Sequence, residues 1–241
     1  MRADRAIYAL RNVVTKITTS NVPCVEQATS VDLFTYYRST SSYRVRIALA
    51  LKGLDYTAIP VNLLLDGGEQ RTPGYKAVNP QGRVPALRLD DGEVITQSLA
   101  IIEYLEERYP QPALLAQDFV QRARQRAVAA LIGCDIHPLH NVSVLNRLRG
   151  LGHDEPAILA WTCHWIGEGL QAVEQLIEED CFCFGASPGL ADIYLLPQLH
   201  AAHRYNIELS AYPRIQRVER LALQHPAFQR AHPDAQPDKP E

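Results

Sequence analysis

Residues 31–53 read VDLFTYYRSTSSYRVRIALALKG, and the periodicity of this stretch changes near its middle. Apolar or β-branched residues at alternating positions of Val31–Tyr37 predict a short strand. The polar run Ser39–Ser42 can cap a helix, and the helical spacing that follows reaches Gly53, a residue suited to a helix end. Tyr56–Leu63 is again rich in β-branched and apolar residues. We therefore predict a βαβ unit with two parallel strands.

Further elements follow this unit within the same domain. They are a helix at 70–77, a hairpin of strands 86–89 and 93–96, and a helix from Gln97 through Tyr109. Asp91-Gly92 supplies the hairpin turn, and Pro110 closes the last helix. Two parallel strands, a hairpin and three helices in about 80 residues predict a small α/β domain over 31–112.

The remainder of the chain carries helical periodicity in place of strand patterns. We predict a linker at 113–120 and an all-helical domain at 121–241. Its helical patterns cover 118–136, 139–150, 155–178, 189–204 and 213–223. The proline-rich end, 233–241, is expected to fray. Residues 1–30 are expected to be a disordered or dispensable extension, because their weak helical spacing dissolves into polar sequence.

Composition excludes several classes of protein. The chain has 241 residues, a formal net charge of −3 and no apolar run of eighteen residues, so we expect no nucleic-acid partner and no membrane span. Its five cysteines form no C-x-x-C pair, which favours a reducing, cytoplasmic location. Cys134, His137 and His140 are three residues apart, but the third leaves the face of the first two, so no metal site is predicted.

The turn between the first strand and the first helix is the first candidate for chemistry. It reads RSTSSYR over 38–44. Backbone N–H groups at a helix N-terminus favour anions, and a hydroxyl placed there can donate a hydrogen bond to a thiolate. The alternative is that Ser41 or Ser42 only caps the helix.

Two other dipeptides can hold a short peptide ligand. Val84-Pro85 opens a strand, and a cis bond there would turn the Val84 backbone outward to pair with an extended ligand. Gln97-Ser98 begins a helix, where glutamine can bind a zwitterionic end and serine can hold a carboxylate. The alternative for Ser98 is a simple helix cap. Together the three signals describe one site for an anion and a thiol.

The sequence resembles the zeta class of glutathione transferases, the maleylacetoacetate isomerases, over nearly all of the chain from Val31 onward. The stretches that carry the resemblance are Tyr37–Gly53, Asn79-Pro80, Val84-Pro85, Gln97–Glu107, Asn141–Leu145, Ala191-Asp192 and Tyr212-Pro213. The resemblance implies a thioredoxin-like N-terminal domain, an all-α C-terminal domain and a homodimer. Ser41 stands where the family's signature turn has cysteine, which removes any role that needs a protein thiol.

The resemblance also implies the roles of individual residues. Ser39 falls on the family's thiolate-stabilising serine. The implied catalytic residues are Arg38, Ser39, Thr40 and Ser41. The implied contacts of the cofactor, glutathione, are Ser39, Ser41, Gln70, Val84, Pro85, Gln97, Ser98 and His137. The implied binders of a small dicarboxylate substrate are Arg38, Asn141, Ser143 and Arg204; for Arg204 the alternative is a solvated arginine at a helix end.

The activity that this resemblance implies is the glutathione-dependent conversion of maleylacetoacetate to fumarylacetoacetate, in aromatic amino-acid catabolism. Two alternatives stay within the same chemistry: maleylpyruvate isomerisation, and broad transferase or dehalogenase activity on α-haloacids. A third alternative is a non-catalytic glutathione-binding scaffold. A scaffold has no need of Ser39, Val84-Pro85 and Gln97-Ser98 together, so we favour an enzyme.

Overall fold

The computed structural model of the chain describes residues 31–240. The predicted extension at 1–30, which includes Cys24, lies outside these residues. Strands occur only at the start of the described region. They are β1 (Val31–Thr35), β2 (Tyr56–Pro60), β3 (Ala86–Arg88) and β4 (Val94–Thr96).

The four strands form one mixed sheet in the order β2-β1-β3-β4. β1 and β2 are parallel, and β3 is antiparallel to both β1 and β4. This confirms the predicted βαβ unit and the predicted hairpin. Gly92 takes a φ of +90° in the hairpin turn, a conformation that glycine adopts without steric cost.

Helices make up most of the described chain. The helices are α1 (Thr40–Leu51), α2 (Pro73–Val78), α3 (Ser98–Arg108), α4 (Phe119–Ala130), α5 (Val142–Gly150), α6 (Glu155–Leu176), α7 (Leu190–Arg204), α8 (Pro213–Gln224) and α9 (Pro226–Ala231). The first three flank the sheet, and the other six form the second domain. The thioredoxin-like and all-α architecture predicted from the sequence is confirmed; α9 was missed, because a six-residue helix carries little periodicity.

Helix α1 lies at the centre of the molecule. It contacts α3 of its own domain and α7 and α9 of the helical domain, and its residues from Ser42 to Leu49 are buried. Because it is covered on all sides, even Arg44 and Arg46 are buried in it. Ser39, the first residue of the predicted capping run, caps this helix, and the alternative caps Ser41 and Ser42 lie within it. Gly53 follows the helix with a φ of +67°, as predicted.

A buried ammonium group binds the C-terminal end of the first predicted domain. Lys52 Nζ lies 2.5 Å from Glu106 Oε2, 2.6 Å from the Tyr109 carbonyl oxygen and 2.7 Å from the Pro112 carbonyl oxygen. Helix α4 begins at Phe119, so the last two residues of the predicted linker are helical. The division at 112 and 121 therefore stays a prediction.

The α-helical hydrogen-bond pattern of α4 ends at Ala130, but the chain continues in helical turns of other types. It continues as a π-helical turn, Leu131–Ile136, and a 3₁₀ turn, His137–His140, that contains Pro138. This continuous stretch up to Gly150 is long and apolar enough, by composition, for a membrane span. Its helices pack against α6 and α7 as core helices of the second domain do. The absence of a membrane partner remains a prediction.

The expectation of a frayed C-terminus was wrong. Pro233–Ala235 forms a 3₁₀ turn, and the Gln236 side-chain amide donates to the carbonyl oxygens of Arg230, at 3.0 Å, and His232, at 2.9 Å. Asp238 then accepts a hydrogen bond from the backbone N–H of Tyr37 in the first domain. Sequence composition suggested fraying because a proline-rich polar segment has no periodicity that predicts contacts, whereas here the local bonds of Gln236 and the distant bond of Asp238 order the segment.

Candidate active site between the two domains

A cavity of about 850 Å³ lies between the α/β domain and the helical domain. All the residues assigned to the site from the sequence line its wall. They are Arg38, Ser39, Thr40, Ser41, Gln70, Val84, Pro85, Gln97, Ser98, His137, Asn141, Ser143 and Arg204. The structure thus brings the whole predicted set together, and the role of each member stays a prediction.

The Ser39 hydroxyl is oriented by the start of α1. Ser39 has extended backbone angles, φ −70° and ψ 118°, and its Oγ accepts a hydrogen bond from the Ser42 N–H at 3.2 Å. Because the oxygen is the acceptor there, the hydroxyl hydrogen is left to donate to another group. Thr40 and Ser41 form the first turn, whose N–H groups have no partner within the helix. Hydroxyl and N–H donors therefore converge on this end of the cavity.

The start of α3 has an unusual backbone. Gln97, which is not a glycine, takes a φ of +72°, a left-handed conformation that costs a non-glycine residue about 1–3 kcal/mol. Its side-chain amide donates to Gln81 Oε1 at 2.6 Å, and the buried Ser98 begins the helix. Strain of this kind persists where surrounding contacts hold it, often at a ligand site. The dipeptide Gln97-Ser98 is thus held in a conformation that an ordinary helix cap does not need.

Two further wall segments present groups suited to a peptide ligand. The Val84-Pro85 bond is cis, and both residues are buried in the cavity wall. Gln70 donates from Nε2 to the Leu63 carbonyl oxygen at 3.4 Å, but its Oε1 is buried and finds no partner among residues 31–240. A buried amide oxygen without a donor is costly, so a ligand N–H would stabilise it.

The helical domain also contributes uncharged polar groups to the wall. Burial, and next the nearby Arg44, hold the pKa of His137 well below its usual value, so its imidazole is uncharged. Asn141 caps α5, and its Oδ1 accepts from the Ser143 N–H at 3.1 Å and from Ser143 Oγ at 2.9 Å. Arg83 of the other domain donates to Ser143 Oγ at 3.3 Å. Asn141 and Ser143 therefore join the two domains at the rim of the cavity.

Two arginines predicted to bind carboxylates lie close to each other. Arg204 is exposed at the end of α7, and Arg38 is half-buried in the turn before α1. Desolvation, and next the like charge of Arg38, lower the pKa of Arg204. Two cations that repel one another at a cavity wall are stabilised when a ligand brings negative charge between them.

Arg44 is a cavity residue that sequence reasoning missed. The described chain has three buried cations, Arg44, Arg46 and Lys52, and the last two have hydrogen-bond partners. Arg44 is 2% exposed and lies over the Tyr194 ring at 4.3 Å, while its Nε and Nη2 have no hydrogen-bond partner. Its position four residues after Thr40 places both on one face of α1, a spacing that could have drawn attention to it.

Arg44 carries its charge at neutral pH. Burial lowers the pKa of its guanidinium to about 10, and the described residues place no carboxylate against it. A buried charge without a counter-ion is one of the most costly features a folded protein can contain. Because Arg44 lines the cavity, an anionic ligand bound there would supply this counter-ion.

The imidazole of His140 gives the protein a pH-dependent stability. It is hydrogen-bonded to Gln198 Oε1 at 3.2 Å, and burial lowers its pKa from 6.5 to about 4. Between these two values the unfolded chain binds a proton that the folded protein does not. Stability is therefore full above pH 6.5 and falls on acidification, by up to about 3 kcal/mol from this group. We expect the Tm to fall between about pH 7 and about pH 5.

The control is His140→Gln, which removes the titrating group and retains hydrogen-bonding capacity toward Gln198. Its Tm should fall less steeply over the same interval when unfolding is followed by circular dichroism. Some slope should remain, because burial also lowers the pKa of His200 to about 4. Parallel slopes for parent and variant would contradict the assignment.

The amino-acid sequence is similar to those of known glutathione transferases. The family model for the N-terminal domain of glutathione S-transferases matches residues 38–108. A maleylacetoacetate isomerase from Pseudomonas aeruginosa is 68% identical over 208 residues, covering 86% of this chain and 98% of that protein. The similarity thus extends through both domains.

Solved structures give the same result. The holo structure of a maleyl pyruvate isomerase, a bacterial glutathione S-transferase of the zeta class, has a TM-score of 0.83 and 46% identity, covering 87% of this chain and all of that one. A maleylacetoacetate isomerase from Anaeromyxobacter dehalogenans, with dicarboxyethyl glutathione and citrate in its active site, has a TM-score of 0.79 and 39% identity, covering 89% and 96%. The same protein has been solved with glutathione in that site.

Proposed function

The chain belongs to the zeta-class glutathione transferases and maleylacetoacetate isomerases, and from this premise we propose that it is a glutathione-dependent cis–trans isomerase that converts maleylacetoacetate to fumarylacetoacetate. The observation that carries the proposal is the single cavity in which a helix-capping hydroxyl, two peptide-binding segments and several arginines meet. Relatives named for this activity, or for the maleylpyruvate reaction, match nearly their whole length.

The residues of the cavity fit glutathione. The unpartnered Oε1 of Gln70 can accept a ligand N–H, and Val84 can contact the cysteinyl-glycine part. Gln97 and Ser98, at the start of α3, can hold the γ-glutamyl end. When bound, glutathione supplies a thiol that adds to the cis double bond, permits rotation about the resulting single bond and leaves unchanged.

Ser39 keeps the bound thiol ionised. Its oxygen accepts from the Ser42 N–H, and among residues 31–240 no acceptor is paired with its hydroxyl hydrogen, which can therefore be donated to the sulfur. The helix N-terminus adds positive potential at the same place. Both effects favour the thiolate over the thiol, and only the thiolate is an effective nucleophile at neutral pH.

Arginines at the cavity wall hold the dicarboxylate and stabilise developing charge. Arg38 and Arg204 both line the cavity, where they can bind the two carboxylates with charge-assisted hydrogen bonds. Arg44 also lines the cavity, one helical turn after Thr40 on α1. We assign Arg44 to the carbonyl oxygen that becomes negative as the thiolate adds, the same kind of stabilisation as an oxyanion hole.

An absorbance assay with and without glutathione tests the proposed function. Maleylacetoacetate should isomerise only when glutathione is present, and the glutathione concentration should not fall during turnover. Glutathione binding with no turnover of any maleyl compound would favour the non-catalytic scaffold instead. Consumption of glutathione on α-haloacids alone would favour the broader transferase.

Maleylpyruvate isomerase is the second candidate, because a structure with that name is among the close neighbours. The segment Gly133–His137 also resembles the maleylpyruvate group. Against it, helix α5 presents Val142 and Ser143 at the cavity and has no cation before Arg147. The shorter substrate brings its carboxylate nearer to the reacting bond and should need a cation from this helix in addition to Arg44.

We therefore predict a higher kcat/KM for maleylacetoacetate than for maleylpyruvate. The two substrates are compared in the same buffer at saturating glutathione. The opposite order, by about tenfold, or about 1.4 kcal/mol in the barrier, would move the assignment to maleylpyruvate isomerase. Introducing Ser143→Arg should shift the ratio toward maleylpyruvate, and Asn146→Arg, further along α5 and outside the cavity wall, is its matched control.

Two properties are proposed from family membership alone. The protein forms a homodimer and works in the cytoplasm, where glutathione and reduced thiols are maintained. Light scattering after gel filtration tests the first. A monomer at the enzyme concentrations used for assay would contradict it.

A further inference from the structure

The C-terminal segment reaches the loop that carries the proposed catalytic residues. Asp238 Oδ2 accepts a hydrogen bond of 2.7 Å from the Tyr37 N–H, across a sequence separation of 201 residues. Tyr37 immediately precedes Arg38 and Ser39. A hydrogen bond to an ionised carboxylate is about twice as strong as one between neutral groups. The backbone that leads into the thiolate-binding turn is therefore held by a residue from the end of the chain.

The guanidinium of Arg46 also donates hydrogen bonds to this loop. Its Nη1 donates to Thr35 Oγ1 at 3.1 Å and to the Tyr36 carbonyl oxygen at 3.3 Å, and its Nη2 donates to the Tyr37 carbonyl oxygen at 2.9 Å. Its Nε donates to the carbonyl oxygen of Ala231, the last residue of α9, at 3.0 Å. Arg46 is 1% exposed, so these bonds lie away from water. One guanidinium thus joins the loop to the C-terminal segment.

The tail has other contacts that do not involve the loop. The Asp234 N–H donates to His232 Nδ1 at 3.2 Å, and Lys239 Nζ pairs with Asp234 Oδ1 at 2.6 Å. The Lys239 N–H also donates to the Gln236 carbonyl oxygen at 3.2 Å. The Asp234–Lys239 pair is solvent-exposed and contributes little to stability, whereas Asp238 is the residue of the tail that binds the loop, at the Tyr37 N–H.

Neither Asp238 nor Arg46 lines the cavity, which separates their role from that of Arg38 and Ser39. Resting on the proposed function, we propose that Asp238 is a positioning residue that sets the orientation of the Ser39 hydroxyl through the Tyr37 backbone. The loop between β1 and α1 has only four residues, 36–39, so fixing one peptide group constrains the next two. A displacement of about 1 Å at a reacting group can cost about 100-fold in rate.

The test compares three single variants of the full chain. Asp238→Ala removes the acceptor, and Asp238→Asn retains an acceptor oxygen without the charge. Asp234→Ala is the matched control, since it removes a carboxylate of the same tail that pairs with Lys239 and not with the loop. The measurements are kcat, the Kd of glutathione, the Tm and the thiol pKa of bound glutathione, read from the ultraviolet absorbance of the thiolate.

In Asp238→Ala, we expect kcat to fall about tenfold and the thiol pKa of bound glutathione to rise toward that of a free thiol, about 8.5. The Kd should stay within about threefold, since many other contacts hold the peptide. Asp238→Asn should recover most of both losses, and Asp234→Ala should leave both near the parent values. Equal thiol pKa values in Asp238→Ala, Asp234→Ala and the parent would overturn the proposal and leave the tail a structural element.

If Asp238→Ala does not fold, Asp238→Leu, which also removes the acceptor but keeps a side chain of similar size, takes its place: a raised thiol pKa with an unchanged Tm supports the proposal, and a thiol pKa equal to the parent's overturns it. The thiol pKa is measured without a maleyl substrate. A parent protein that binds and ionises glutathione without isomerising any maleyl compound would refute the proposed function. The thiol pKa values of the parent and the variants could still be compared in that case.

Discussion

Replacement of Ser39 by alanine should lower kcat by about 100- to 1000-fold, the effect of removing one hydrogen-bond donor from a group that carries negative charge in the reaction. The Kd of glutathione should change far less, because the contacts proposed for Gln70, Val84 and Gln97 are with other parts of the peptide. The physical reason is that the hydroxyl acts on ionisation of the thiol, whereas the remaining contacts act on both ionisation states alike. Titration of the ultraviolet absorbance of bound thiolate measures this directly.

Ser39 also caps α1, so the variant loses about 1 kcal/mol of stability for a reason unrelated to chemistry. Asp154→Ala controls for this effect, because Asp154 caps α6 through the Ala157 N–H at 3.0 Å and does not line the cavity. It should lose comparable stability and keep its kcat. Ser39→Thr retains the hydroxyl and should recover part of the activity. An unchanged thiol pKa in Ser39→Ala would refute the thiolate role.

Arg44→Met should separate activity from stability. We expect kcat/KM for the maleyl substrate to fall about 100-fold, or about 2.7 kcal/mol, because the charge that faces the developing anion is lost. The free energy of unfolding should stay the same or rise, since an unpaired buried cation is replaced by an apolar chain of similar length. Denaturant unfolding and initial rates measured on the same preparation give both quantities.

Two other arginines serve as comparisons for Arg44. Arg126 also lines the cavity but is paired with Glu103, at 2.9 Å, so Arg126→Met should change kcat/KM little. Arg46→Met removes a cation with four hydrogen bonds and should destabilise the fold strongly. If Arg44→Met keeps its kcat/KM, or loses stability as Arg46→Met does, Arg44 is a structural residue and the anion is bound elsewhere.

Local sequence was sufficient for most of the first domain. The change from strand to helical periodicity near Ser39, the glycine at 53 and the Asp91-Gly92 turn are short-range signals, and the structure places β1, α1 and the hairpin where they indicate. The site for an anion and a thiol was predicted from the turn at 38–44 together with Val84-Pro85 and Gln97-Ser98. Caps, turns and strand starts are decided by neighbours a few positions away, so these segments can be singled out from the sequence, and the structure places them in the wall of one cavity.

Tertiary structure decided the features that depend on distant partners. A hydrogen bond needs two groups within about 3 Å of each other, and packing of the two domains decides which groups come that close. Packing therefore leaves Arg44 without a partner for its Nε and Nη2, and it brings Asp238 to the Tyr37 N–H. The polar tail at 233–240 has no periodicity that distinguishes a frayed end from a docked one. Sequence by itself therefore determined most of the elements and the predicted residues of the cavity wall, but neither α9 nor Arg44. Only packing determined which buried charges are compensated, because the cost of burying a charge depends on its surroundings in space.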